Sequence, residues 1–229
     1  MARQLSFDLP ALTVLGRADF YVAPSNALAV AMIESTETWP APQLTVCGPE
    51  GAGKTHLANV WANMTGAVIV PSRDLPGRDI PTLAEAPVAV EDVPEIASNA
   101  AAMDALFHLF NLMRANGCPL LMTGRGDPSQ WGLALPDIQS RVQAAAHVAL
   151  DLPDDTLLAA VLGKLFADRQ ITPKPDVIPY LVRQMERSFA AAQSIVAGMD
   201  KMALDEGRTV SRQIAARMIA IAAGSSETI

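Results

Sequence analysis

The stretch GPEGAGKT, Gly48 to Thr55, combines residue types and spacing that can do chemistry. It satisfies G-x-x-x-x-G-K-[ST], and it lies between a short apolar run, QLTVCG (Gln43–Gly48), and a helical pattern, KTHLANVWANMT. A glycine-rich turn from strand to helix is a phosphate cradle. Gly51 and Gly53 let the backbone curl so that several N–H groups converge. The positive end of the following helix adds to those donors. Lys54 then reaches the β- and γ-phosphates of a nucleotide, and the Thr55 hydroxyl ligates Mg²⁺. Pro49, Glu50 and Ala52 complete the loop, and His56 continues the nucleotide-binding stretch into the helix.

A second chemical signal is VAVEDV, Val88 to Val93, an apolar run that ends in two acids. Such an acid holds Mg²⁺ through water, and its neighbour orients an attacking water. Glu91 and Asp92 are therefore the candidate metal-side and catalytic carboxylates. Their order is glutamate first, where an aspartate usually leads. That inversion predicts weak hydrolysis by this chain itself.

These groups need a scaffold. SNALAVAMIEST (Ser25–Thr36) predicts a helix capped by Ser25 or Asn26. Strands are predicted at 43–48, 67–71, 86–93 and 119–124, and in HVAL (147–150). Helices separate them, the longest being Asn99–Gly117 with Gly117 as its C-cap. Strands that alternate with helices signal a parallel α/β sheet. The unbroken apolar run of the third strand predicts burial on both faces. After Pro153 the pattern becomes helical throughout, through DDTLLAAVLGKLFADRQ, DVIPYLVRQME, SFAAAQSIVAGMDKMALDEG and SRQIAARMIAIAA. The fold class is α/β: a parallel-sheet domain over 13–152, then a small all-helical domain over 153–229. A separate N-terminal peptide occupies 1–12.

Composition bounds the rest. The chain has 229 residues, 50% of them hydrophobic, enough for a real core. Its net charge of -7 argues against nucleic acid as the main partner. No apolar run reaches the roughly 18 residues of a membrane span, and no secretory leader is visible. The expected location is the cytoplasm, with no membrane partner. Cys47 and Cys118 lack metal spacing and read as buried, reduced thiols. His56 and His108 read as packed or capped histidines. Met185, Met199 and Met202 read as core. Trp39, Trp61 and Trp131 read as core or its edges, with Trp131 also placed to be an interface anchor.

A phosphate-loop sheet domain followed by a helical lid resembles the AAA+ ATPases. DFYVAPSNALAV (Asp19–Val30) resembles the first conserved box of the bacterial initiator DnaA, whose strand and helix flank the nucleotide base. LPDIQSRV (Leu135–Val142) resembles the box that carries the arginine finger, which implies that role for Arg141. ERSFAAAQSIVAGM (Glu186–Met199) is similar to the lid helix whose early arginine senses phosphate, which implies Arg187. LLMTG followed by Arg125 stands where the family has its first sensor, a role left to Thr123.

The N-terminal QLSFDL resembles the motif that binds the replicative β sliding clamp. Gln4 leads, Leu5, Phe7 and Leu9 are anchors, and Ser6 and Asp8 lie between them. An extended peptide of this kind bonds to a groove through its backbone while alternate side chains fill pockets. The chain shows neither a helix-turn-helix region after the lid nor an N-terminal oligomerisation domain. The resemblance thus implies a clamp-docked, ADP- or ATP-bound regulator that stimulates hydrolysis by DnaA in trans, without sequence-specific DNA binding. A homo-oligomer, such as a dimer, is expected in some states. A helicase-loader-like ATPase and a clamp adaptor with a vestigial nucleotide site remain the alternatives.

Overall fold

The computed structural model describes residues 21–225. The clamp-like peptide Gln4–Leu9 and the first two residues of the Asp19–Val30 box lie outside the described residues. The elements run α1 (Ala27–Glu34), β1 (Gln43–Cys47), α2 (Lys54–Thr65), β2 (Val68–Pro71), α3 (Ile80–Leu83), β3 (Val88–Glu91), α4 (Ala100–Asn116), β4 (Leu120–Gly124), α5 (Pro136–Ala144) and β5 (Ala146–Ala149). Four more helices follow: α6 (Asp155–Asp168), α7 (Val177–Gln184), α8 (Phe189–Glu206) and α9 (Arg212–Ser225).

The strands form one parallel sheet in the order β2-β3-β4-β1-β5. Parallel strands need crossover helices, and these cover both faces. Side chains alternate along each strand. Val88, Val90, Leu120 and Met122 face one layer, where Leu106, Leu109 and Phe110 of α4 bury them. Ala89, Leu121, Leu44 and Val46 face the other, against Leu57 and Trp61 of α2 and Ile33 of α1. Hence β1 and β4 are buried along their full length.

Trp61 anchors the second layer. It is fully buried, stacks on Trp39 at 5.8 Å between ring centroids, and donates its indole N–H to Thr36 Oγ1 at 2.9 Å. Trp61→Ala is expected to cost about 3–5 kcal/mol of folding stability, measured by urea unfolding.

The four C-terminal helices enclose a core of their own, centred on Leu158, Leu162, Phe166, Leu181 and Val196. Met185 and Met199 are buried in it, and Met202 packs at its edge. Its longest helix, α8, begins with a Ser188 cap: the hydroxyl accepts the Ala191 N–H at 3.0 Å, and Gly207 closes the other end.

Local chemistry departs from the sequence reading in four places. Asn26 precedes α1 but does not cap it through its side chain. Its Oδ1 accepts from Ala23 N–H and its Nδ2 donates to the Tyr21 carbonyl, tying the incoming chain instead. The loop after β2 contains a 3₁₀ turn (Ser72–Gly77) that buries Leu75. Trp131 is 3% exposed, sits against Gly124 and donates to the Gly126 carbonyl, so it is a core residue and not an interface anchor. Cys47 is buried, whereas Cys118 is only partly so. Among the described residues, no helix is long and apolar enough to cross a membrane.

Candidate functional site

The phosphate loop leaves the sheet from β1, a central strand flanked by β4 and β5. Gly48 starts it, and a Cβ there would lie 2.3 Å from the Leu150 carbonyl oxygen, so only glycine fits. Gly51 and Gly53 have φ of +76° and +97°, the left-handed region that glycine adopts freely. Lys54 opens α2 and is 8% exposed. Its ammonium donates to the Gly48 carbonyl at 2.9 Å and the Pro49 carbonyl at 2.6 Å. Two of its three protons are thereby held, and the third remains for a ligand oxygen. Burial pulls the Lys54 pKa down, Asp92 pulls it up, and Arg125 adds a second downward pull.

The acid pair arrives from the end of β3. Burial pushes the Glu91 pKa up, the Thr55 side-chain hydrogen bond draws it down, and Asp92 pushes it up again. Glu91 Oε1 is buried with no hydrogen-bond partner among the described residues. A carboxylate with one oxygen beside the Thr55 side chain and the other unmatched is a donor set suited to a hard cation such as Mg²⁺. Asp92 has φ of +54°, so the chain bends sharply after the strand. That bend is held from two sides: the Asp92 N–H donates to Thr123 Oγ1 at 3.2 Å, and Ser72 Oγ donates to the Asp92 carbonyl at 2.8 Å. Thr123 thus positions the acid pair from β4.

The raised Glu91 pKa has a stability sign. The folded state holds the Glu91 proton to higher pH than the unfolded state does. Its contribution is full below the unfolded pKa and is lost as pH rises through the folded value. In nucleotide-free protein, Glu91→Gln is therefore expected to gain in melting temperature over wild type as pH rises from 5 to 8.

Arg125 extends from the end of β4 and pairs with Glu50 at 2.8 Å. Both groups are largely exposed, so the pair contributes little to stability. It links the end of β4 to the phosphate loop. His56 stacks on Phe189 with 6.2 Å between ring centroids, and His108 is exposed and edge-on to Phe107.

The lid helix touches the phosphate loop directly. A Cβ on Gly51 would lie 2.4 Å from Ser188 Cβ, and one on Gly53 would lie 2.7 Å from Phe189 Cε2. Arg187, immediately before them, is held at the junction of sheet and lid: it donates to the Pro153 carbonyl at 3.2 Å and pairs with Asp155 at 2.5 Å. Asp155, Ser188 and Phe189 escape sequence reasoning. Ser188 announces a helix start, but nothing in its neighbourhood says what that start rests on.

Arg141 stands elsewhere. It lies in the last turn of α5, its guanidinium 5.1 Å from the centre of the Phe107 ring. It shares a groove with Gln43, the first residue of β1, while the phosphate loop follows the last residue. Five strand residues span roughly 17 Å.

The parallel order β2-β3-β4-β1-β5, the phosphate loop after the central β1 and the helical part behind it define the AAA+ fold. No protein-family model matches the sequence, and no curated protein does. Solved structures do match. Domain III of the Thermotoga maritima replication initiation protein DnaA is 16% identical, with a TM-score of 0.77 over 87% of this chain and 92% of that one. A DNA replication initiation factor is 16% identical, with a TM-score of 0.72 over 83% of this chain and 64% of that one. A replication initiator DnaA bound to AMPPCP and single-stranded DNA is 14% identical, with a TM-score of 0.70 over 83% of this chain and 67% of that one. The chain thus spans less than two thirds of the length of the initiation factor.

Proposed function

We propose that this chain is a nucleotide-bound AAA+ regulator of replication initiation, of the type named Hda. In this reading it docks on the β sliding clamp through Gln4–Leu9 and promotes ATP hydrolysis by DnaA. ADP or ATP is held by Gly48–His56. Mg²⁺ would be held by Thr55 and Glu91, with Asp92 beside them, and when bound it would neutralise phosphate charge. The chain's own groups do the rest. The loop N–H groups and Lys54 grip the phosphates, and the bend at Asp92 fixes where the acids point.

One observation carries the trans role. Arg141 lies near the start of β1, whereas the chain's own phosphate loop lies past its end. A guanidinium so placed cannot serve its own nucleotide and is available to a neighbour's. AAA+ structures with a DnaA-type fold that bind AMPPCP support the nucleotide part of the reading. The inverted Glu91-Asp92 pair favours it over a self-driven loader.

The test is binding of the purified chain, with ADP present, to the β clamp. Wild type is compared with a Gln4→Ala/Leu5→Ala variant. Binding that depends on these residues supports the regulator. A folded, nucleotide-holding protein that ignores the clamp sinks it.

A further inference from the structure

The groove beside Arg141 has a chemistry that the trans role does not use. It lies between the start of β1, the last turn of α4 and α5, and holds about 510 Å³. Phe110 supplies apolar wall, and Gln43, Arg114, Asp137, Ser140 and Arg141 supply the polar groups. Gln43 is 2% exposed, and its side-chain nitrogen has no hydrogen-bond partner among the described residues. Arg141 Nε is equally buried and equally without a partner there. The Phe107 ring centre lies 5.1 Å from the guanidinium carbon, within cation–π range.

Buried donors are costly unless an acceptor meets them. Here two such donors, on a strand and on a helix, belong to one groove. Its charge selects the acceptor. Arg114 and Arg141 give two positive charges and Asp137 one negative, a net of +1. One carboxylate balances that, whereas a phosphate dianion overshoots it. A carboxylate also has two oxygens, one for the Gln43 amide and one for the Nε–H edge of Arg141. Arg114, exposed at the rim, adds attraction from outside. Ser140 is already spent, its hydroxyl donating to the Asp137 carbonyl at 3.0 Å.

We propose that this groove is a carboxylate-recognition site, with Gln43 and Arg141 Nε as its inner donors and Arg114 as its outer one. The terminal nitrogens of Arg141 are left for other work. The site lies a strand's length from the phosphate loop, so its ligand is not the chain's own nucleotide. The inference does not require clamp binding or a DnaA partner, and it stands if either fails.

The experiment uses ¹⁵N-labelled full-length protein saturated with Mg–ADP, which occupies the phosphate loop. Sodium acetate is titrated against sodium chloride at matched ionic strength. The Gln43 side-chain amide and Arg141 Nε–H resonances are followed. Acetate is expected to move both saturably and chloride neither. Arg114→Ala, a change at the exposed rim, should weaken acetate about 10-fold, and Gln43→Leu should abolish the Arg141 response. Linear shifts, equal shifts with chloride, or unaltered binding in Arg114→Ala would overturn the proposal. So would inorganic phosphate that fills the site more tightly than acetate. A capped glutamate amide distinguishes the sources. Its binding, lost in the capped glutamine, supports a protein side chain as the ligand. Binding of acetate alone supports a small free acid in the same site.

Discussion

Arg141→Ala is expected to abolish the proposed acceleration of DnaA-ATP hydrolysis and to leave ADP binding by the chain itself unchanged. An arginine finger is worth roughly 10³–10⁵ in rate, because it meets charge that develops on the transferring phosphoryl group. The measurement is phosphate release from DnaA-ATP in the presence of clamp-loaded DNA. Arg141→Lys should rescue little, since a point charge lacks the planar fork that spans two phosphate oxygens. Nucleotide binding is spared because Arg141 sits at the other end of β1 from Gly48–Thr55. If Arg141→Ala still accelerated hydrolysis fully, the trans role would belong to another residue.

Lys54→Ala is expected to lower affinity for ADP and ATP by about 10- to 100-fold, the loss of the one charge-assisted hydrogen bond left to its third proton, at roughly 1.5–3 kcal/mol. The lost ammonium is already in place without ligand, held by the Gly48 and Pro49 carbonyls. Its removal therefore forfeits preorganisation as well as charge. Titration calorimetry with Mg–ADP measures the effect. Alanine is a good helix former, so α2 itself should persist in the variant. The same variant separates two functions. A Lys54→Ala protein that binds no nucleotide yet still activates DnaA would make the nucleotide site vestigial. Loss of both would make the bound nucleotide a structural ligand of the regulator.

Much of the scaffold was legible. The helix predicted over Lys54–Thr65 is α2, and Gly117 ends α4 with φ of +67° and an N–H bonded back to the Met113 and Arg114 carbonyls. Those signals are local: a glycine, a cap, a period of 3.6 or 2. The strand order was not legible. Periodicity says that β3 is buried on both faces, and nothing in it says that β4 lies between β3 and β1. The phosphate loop could be read because its chemistry is packed into eight consecutive residues. The Asp155–Arg187 pair spans 32 positions, and the Gly51–Ser188 contact links the phosphate loop to the C-terminal helical unit. Such pairs arise from how the lid is laid on the sheet, which no local pattern encodes. Asn26 failed as a cap for a related reason: the incoming chain offered it better partners than the helix did.

The contact of Ser188 and Phe189 with Gly51 and Gly53 has a kinetic meaning. Backbone amides in a glycine-rich turn normally exchange with solvent on their own schedule. Here the turn is roofed by the first residues of α8, so neither can open without displacing the other. Amide hydrogens of the two segments should report one opening event, with a common protection that nucleotide raises in both together. Information about what occupies the loop would then travel into the lid through shape alone, and any surface formed jointly by lid and sheet would carry it outward.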